Sequence, residues 1–155
     1  EIPEVSGGIV KIEGVAREAG SRAKVAVSST QANVDPVGSC IGQRGTRIQT
    51  VIAELGGEKV DIIPFDADPA KFIANALAPS KVVDVRLRER ERAADVIVST
   101  DQLSLAIGRG GQNVRLAARL TGWKLSINEA GNDQPVEGAT AEPTIEPPAA
   151  ETPAE

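Results

Sequence analysis

The sequence predicts an α+β fold, an α/β sandwich built twice in one chain, and three observations carry that reading. Paired runs alternate apolar and polar residues, helix starts are marked by Asp-Pro, and one order of strand, short helix, glycine loop, longer helix and strand occurs twice. A length of 155 residues suits one ordinary domain or two small ones, and the repetition decides for two.

The elements follow in order along the chain. Residues 9–17 and 23–29 alternate around Glu18-Ala-Gly-Ser21, whose glycine suits a tight reversal, so a hairpin is expected. Asp35-Pro36 reads as an N-cap followed by proline at the first helical position, and Asp68-Pro69 repeats it. Asp101 is expected to cap a third helix. Residues 69–77 read as helix, and 82–88 with 94–98 form a second alternating pair.

The internal match runs from Lys24-Val-Ala-Val-Ser-Ser29 through Ile41-Gly-Gln-Arg-Gly-Thr-Arg-Ile48 to Glu54-Leu-Gly-Gly-Glu-Lys-Val-Asp-Ile62. Its counterpart runs from Asp95-Val-Ile-Val-Ser-Thr100 through Ile107-Gly-Arg-Gly-Gly-Gln-Asn-Val114 to Arg119-Leu-Thr-Gly-Trp-Lys-Leu-Ser-Ile127. Helix 69–77 precedes the second copy. Only eight residues precede Ile9, so the equivalent helix of the first copy is expected to be truncated. Pro64-Phe-Asp-Ala-Asp68 is the whole joint, with prolines at 64 and 69 stiffening its ends and Phe65 available to pack between the copies. A fixed pair is expected.

Composition removes most chemistry. With no His, Tyr or Met and a single Cys, a Ser/His/Asp triad, a Cys/His nucleophile and a Cys/His zinc site are excluded by counting. No catalytic residue, metal or cofactor is expected, and no enzyme. No apolar run approaches the roughly 18 residues that cross a bilayer, and the N-terminus does not resemble a signal peptide. The expectation is a soluble, cytoplasmic, monomeric protein without a membrane partner. Because the chain begins at Glu1, it is expected to be a piece of a longer one.

The net charge of -5 hides an uneven distribution. Seven of the 22 acidic residues lie in 129–155, where there is no Lys or Arg, so the body holds all 17 bases against 15 acids. Five of the ten prolines lie there too. Such a segment buries too little apolar surface to offset its ordering entropy, and 130–155 is read as disordered.

One GxxG is weak evidence, but Gly42-Gln-Arg-Gly45 and Gly108-Arg-Gly-Gly111 sit in matching flanks, each after Ile and each with an Arg inside. Glycine lets a backbone approach a ligand closely, and the N–H groups opening the next helix attract phosphate. The bland alternative is a glycine cap and a turn. Residues 108–113 imitate G-x-G-x-x-G, but the last position is Asn and no strand leads directly in, so no Rossmann site is expected. Gly45-Thr46 lacks the lysine of a P-loop.

The arrangement resembles the K-homology (KH) RNA-binding module in its bacterial form. The stretch Leu103-Ser-Leu-Ala-Ile-Gly-Arg-Gly-Gly-Gln-Asn-Val-Arg-Leu-Ala-Ala-Arg-Leu-Thr-Gly-Trp123 is similar to the second KH domain of the NusA family. Residues 16–25, Asp35-Pro-Val-Gly38, Gly57-Glu-Lys-Val-Asp61 and Asn75-Ala-Leu77 extend the resemblance over 1–128. It implies two consecutive prokaryotic-type (type II) KH domains, each a three-stranded sheet packed by helices. They would span 1–65 and 66–129, ahead of an acidic Pro/Ala/Glu-rich tail at 130–155. It further implies single-stranded RNA, nascent transcript or leader, as ligand. RNA polymerase is the implied partner, engaged through the full-length protein in pausing, termination and antitermination. Gly110 departs from the family, some members of which carry a larger polar residue there, and a slightly looser second loop is expected.

The RNA-binding candidates are Gly42, Gln43, Arg44, Gly45, Thr46 and Arg47 in the first copy. In the second they are Gly108, Arg109, Gly110, Gly111, Gln112, Asn113 and Arg115, with Arg119 one turn further on the same face. A KH module holds about four nucleotides by their backbone and needs no aromatic platform, in keeping with an aromatic content of 2%. Ile41, Ile48, Ile107 and Val114 are candidates for an aliphatic groove, or for plain core. Cys40, Trp123, Phe65 and Phe72 read as core. Arg86, Arg88, Arg90 and Arg92 read as a solvated strand and hairpin tip, with RNA contact as the alternative. The other functional reading is a KH-fold protein-interaction module docking on RNA polymerase or a partner factor.

Overall fold

The computed structural model describes residues 1–131 and 139–143. The chain opens with a four-residue helix α1 (Pro3–Ser6) and the hairpin β1 (Val10–Glu18) and β2 (Arg22–Ser29), reversed at Gly20 with φ 81°. Then come α2 (Pro36–Ile41), a tight 3₁₀ turn at Gln43–Gly45, α3 (Thr46–Glu54) and β3 (Lys59–Pro64). β3 lies parallel to β2, so the first sheet runs β1-β2-β3 with its hairpin antiparallel.

The same plan follows in α4 (Pro69–Ala76), β4 (Asp84–Arg88), β5 (Ala93–Val98), α5 (Leu103–Ile107), a 3₁₀ turn at Arg109–Gly111, α6 (Gln112–Thr121) and β6 (Lys124–Glu129). β4 is antiparallel and β6 parallel to β5. Among the described residues no helix is long and apolar enough to cross a membrane.

Two of the three expected caps form. Asp35 and Asp68 each accept, at 3.1 Å, the backbone N–H two residues on, ahead of Pro36 and Pro69. Asp101 does not cap a helix. It lies inside a 3₁₀ turn, Thr100–Gln102, and accepts from the Ser99 hydroxyl, while Gln102 N–H bonds to Ser99 O. That turn moves the start of α5 on to Leu103, out of reach of Asp101 as an N-cap.

A small core joins Val10, Val27 and Cys40 with Ile2 and Val5 at the N-terminus and Val37 of α2. A larger one gathers Ile73, Leu77, Val96, Val98, Val114, Leu125 and Ile127 around Trp123, over whose ring the Arg92 guanidinium lies at 5.3 Å. Ile63 of β3 belongs to this second core, so the copies share apolar packing. α6 also lies against β1, where a Cβ on Gly14 would come within 3.4 Å of Leu120. The Lys24 side chain is fully buried, its ammonium donating to Asp61 at 3.0 Å and to Ala78 O at 2.8 Å. Burial lowers its pKa against the opposing pull of Asp61.

Residues 139–143 fall in the segment read as disordered, and here they have a defined place. Thr140–Ala141 forms β7, antiparallel to β6, with Ala139 buried and Glu142 3.7 Å from the Lys124 ammonium. The second sheet thus gains a fourth strand beyond the three expected. The edge of β6 offers unpaired backbone groups, and small alanines fit beside the core. Residues 132–138 and 144–155 of the tail lie outside the described residues.

Candidate nucleic-acid interface

The two glycine loops share one backbone. Gly42 and Gly108 have φ/ψ of 78/174° and 79/169°, Arg44 and Gly110 have 55/26° and 62/21°, and Gly45 and Gly111 have 74/15° and 77/12°. Each leading glycine donates to the carbonyl four residues back, Gly38 at 2.9 Å or Ser104 at 2.8 Å. Each closing glycine donates to the leading one, at 3.2 and 3.1 Å. Gly110 holds the same backbone conformation as Arg44. At this position glycine rests in a left-handed conformation that Arg44 adopts against its preference.

The leading glycines have a second reason to be glycine. A Cβ on Gly42 would stand 2.7 Å from the Arg47 stem, and one on Gly108 would stand 2.6 Å from the backbone nitrogen of Asn113. The short and long helices therefore cross at a distance only a bare backbone permits. A Cβ on Gly110 would meet nothing within 4 Å, and one on Gly45 only Ile48 at 3.9 Å. α3 and α6 both start at a left-handed glycine without a side-chain cap, which leaves first-turn N–H groups available to an anion. Gln43, Arg44, Thr46, Arg109 and Gly110 are exposed around them.

The remaining candidates have internal duties. Arg47 bonds to the Glu4 carboxylate of α1 and to Ser39 O at 2.9 Å. Its counterpart Asn113 is buried, donating at 3.0 Å to Ala106 O and to Leu77 O beyond α4. α1 thus braces the first loop as the end of α4 braces the second. Val114 is core, while Ile41, Ile48 and Ile107 are half-buried and remain available as groove walls.

Arg115 and Gln112 face the first copy. Arg115 grips Glu18 of β1 with two nitrogens and donates a third bond to Gly110 O at 3.1 Å. Gln112 donates to Glu18 at 3.0 Å and to the Ser21 hydroxyl at 2.7 Å. Arg119 lies 3.6 Å from the same carboxylate, so the expected basic strip is a clasp between copies. The Arg115 hydrogen bonds hold the Glu18 carboxyl below the usual carboxylate range, and Glu18 raises Arg115 in return. No signal in the sequence pairs Glu18 with Arg115, because nothing local links them.

Arg88 pairs with Glu91 and Asp95 and Arg86 with Asp84, so both are engaged in the hairpin β4–β5.

Residues 1–65 match the family model for the NusA-like first KH domain, and residues 69–135 the NusA-like second KH domain. The chain is 56% identical over 127 residues to the transcription termination/antitermination protein NusA of Bacillus subtilis, covering 82% of this chain and 34% of the relative. With the NusA of Thermus thermophilus it shares 56% identity over 130 residues, 84% of this chain and 34% of the relative. With that of Mycobacterium tuberculosis H37Rv the figures are 52% over 146 residues, 94% and 42%. The chain therefore spans about a third of the length of the first two relatives. A solved structure titled "Crystal structure of APE1850" superposes with a TM-score of 0.57 at 27% identity, covering 77% of this chain and 88% of that one. Two matching loops on two matching folds, with both family matches in tandem, make this chain a member of the NusA family that carries its first and second KH domains.

Proposed function

We propose that the chain binds single-stranded RNA through both glycine loops, as the RNA-gripping part of a factor acting with RNA polymerase in pausing, termination and antitermination in the cytoplasm. Its modules are 1–65 and 66–129, followed by the acidic segment 130–155. The observation that carries this reading is the identity of the two loop backbones, each opening an uncapped helix and each presenting one exposed arginine, Arg44 or Arg109. The contact residues are Gly42, Gln43, Arg44, Gly45 and Thr46 with Gly108, Arg109, Gly110 and Gly111. Ile41, Ile48 and Ile107 serve as apolar walls.

The test places a negative charge where phosphate should lie. The variants are Gly45→Asp and Gly110→Asp. A Cβ at Gly110 meets nothing within 4 Å and one at Gly45 makes only ordinary contact with Ile48 at 3.9 Å, and Asp tolerates left-handed backbone. Both variants should fold, as circular dichroism would register, yet lose RNA affinity. Binding by the unmodified chain should weaken with salt, each phosphate contact adding roughly -0.7 to the log-log slope. Wild-type affinity in both variants, or a slope near zero, would leave the protein-docking reading standing instead.

A further inference from the structure

The second loop does not stand alone. A cavity of about 290 Å³ opens beside it, lined by Ser21 of the β1–β2 turn, Arg22 of β2 and Lys59 of β3, and by Gly108, Arg109, Gln112 and Asn113 of the second copy. Its lining carries three cations and no carboxylate. Arg22 is held by Asp61 at 2.8 Å, whereas Lys59 and Arg109 have no ion-pair partner among the described residues and both are exposed. Ser21 accepts from Gln112 and uses its own hydroxyl hydrogen on no acceptor among the described residues. Two uncommitted cations, a spare donor and the uncapped start of α6 are together the chemistry of an anion site.

Its position says which anion. α3 and β3 are joined by the short turn 55–58 and run in opposite directions, so the first loop, at the head of α3, lies away from the Lys59 end of β3. Lys59 stands opposite Arg22 in the sheet register and beside the second loop. β3 thus leads from the side of the first loop to Lys59, which shares the cavity with Arg109.

Resting on the RNA-binding reading above, we infer that this seam cavity is a further phosphate site, in which Lys59 and Ser21 of the first module join the loop residue Arg109 of the second to hold the phosphodiester where the strand passes from the first loop footprint to the second. The site exists only while the modules keep their present packing, since its donors come from both.

Three measurements test it. Lys59→Gln should weaken binding of an RNA of about ten nucleotides roughly three- to tenfold and lower the salt slope by about 0.7. The same change at exposed Lys71 of α4, away from the cavity lining, should do much less. An uncharged methylphosphonate moved linkage by linkage along that RNA should weaken wild-type binding most at one linkage between the footprints, and Lys59→Gln should be insensitive there. Equal losses at Lys59 and Lys71, or a linkage profile unchanged by Lys59→Gln, would overturn the seam site while leaving RNA binding intact. Failure of the unmodified chain to bind RNA would overturn the underlying reading, and the seam site with it.

Discussion

Arg44 and Gly110 occupy the same point of two superimposable loops, and the comparison separates the conformational cost of a residue from its use. A non-glycine residue in the left-handed region gives up about 1 kcal/mol, which an arginine facing phosphate can recover. A Cβ at Gly110 meets nothing within 4 Å, so Gly110→Arg should keep the loop, cost at most about 1–2 kcal/mol of stability and tighten RNA binding. Thermal melts and RNA titration of the same variant check both halves. At Gly108 the outcome reverses, because an added Cβ collides with backbone that cannot give way. Gly108→Ala should lose on the order of 2 kcal/mol or more, seen as a lower unfolding midpoint before any RNA is added.

At the scale of elements, α6 does three things at once: it buries Val114, Ala117 and Ala118, presents the second loop, and carries Gln112, Arg115 and Arg119 to Glu18 of β1. The Arg115 bond to Gly110 O ties the loop to that clasp, which makes Glu18 a positioning residue for a loop in the other copy. Glu18→Gln should destabilise the pair by about 1 kcal/mol, a modest figure because both partners are partly exposed. The sign of the pH dependence follows from the direction of the shift. A carboxyl with a lowered folded pKa stabilises above its unfolded value, near 4.3, and loses that contribution as pH falls through its folded value. The difference in melting temperature between wild type and Glu18→Gln should be level above about pH 5 and shrink below pH 4. A constant difference down to pH 3 would contradict it.

Over the whole molecule, the joint is less important than the surfaces it connects. Phe65 stacks edge-on against Phe72 at 5.0 Å, Asn75 donates to Pro64 O, Ile63 enters the second core, and Lys24 reaches Ala78 O. The last two contacts, together with the Glu18 clasp, join the modules outside the linker. An RNA of about ten nucleotides, spanning two footprints of about four, should bind far more tightly than one of about five, through the effective concentration of fixed neighbouring sites. A Gly/Ser stretch inserted after Phe65 should leave most of that advantage in place, because the seam survives it. Calorimetry on both chains with both RNAs would decide, and loss of the advantage on insertion would return control to the linker.

Local order determined much of this before any fold was known. Alternation and Gly20 set the first hairpin, Asp-Pro set two helix starts, and the repeated glycines set both loops, because each depends on residues a few positions apart. Asp101 misled because a 3₁₀ turn satisfied by backbone competes with a cap on equal terms. What only the tertiary structure decided is which cations are free. Arg47, Arg115 and Arg119 have the same local signature as Arg44 and Arg109, yet the first three face carboxylates delivered from distant strands and helices. Lys59, at the start of β3, arrives beside the second loop. Charge is legible residue by residue, but whether a charge is spent depends on what folding brings opposite it, and that is a property of the packed chain.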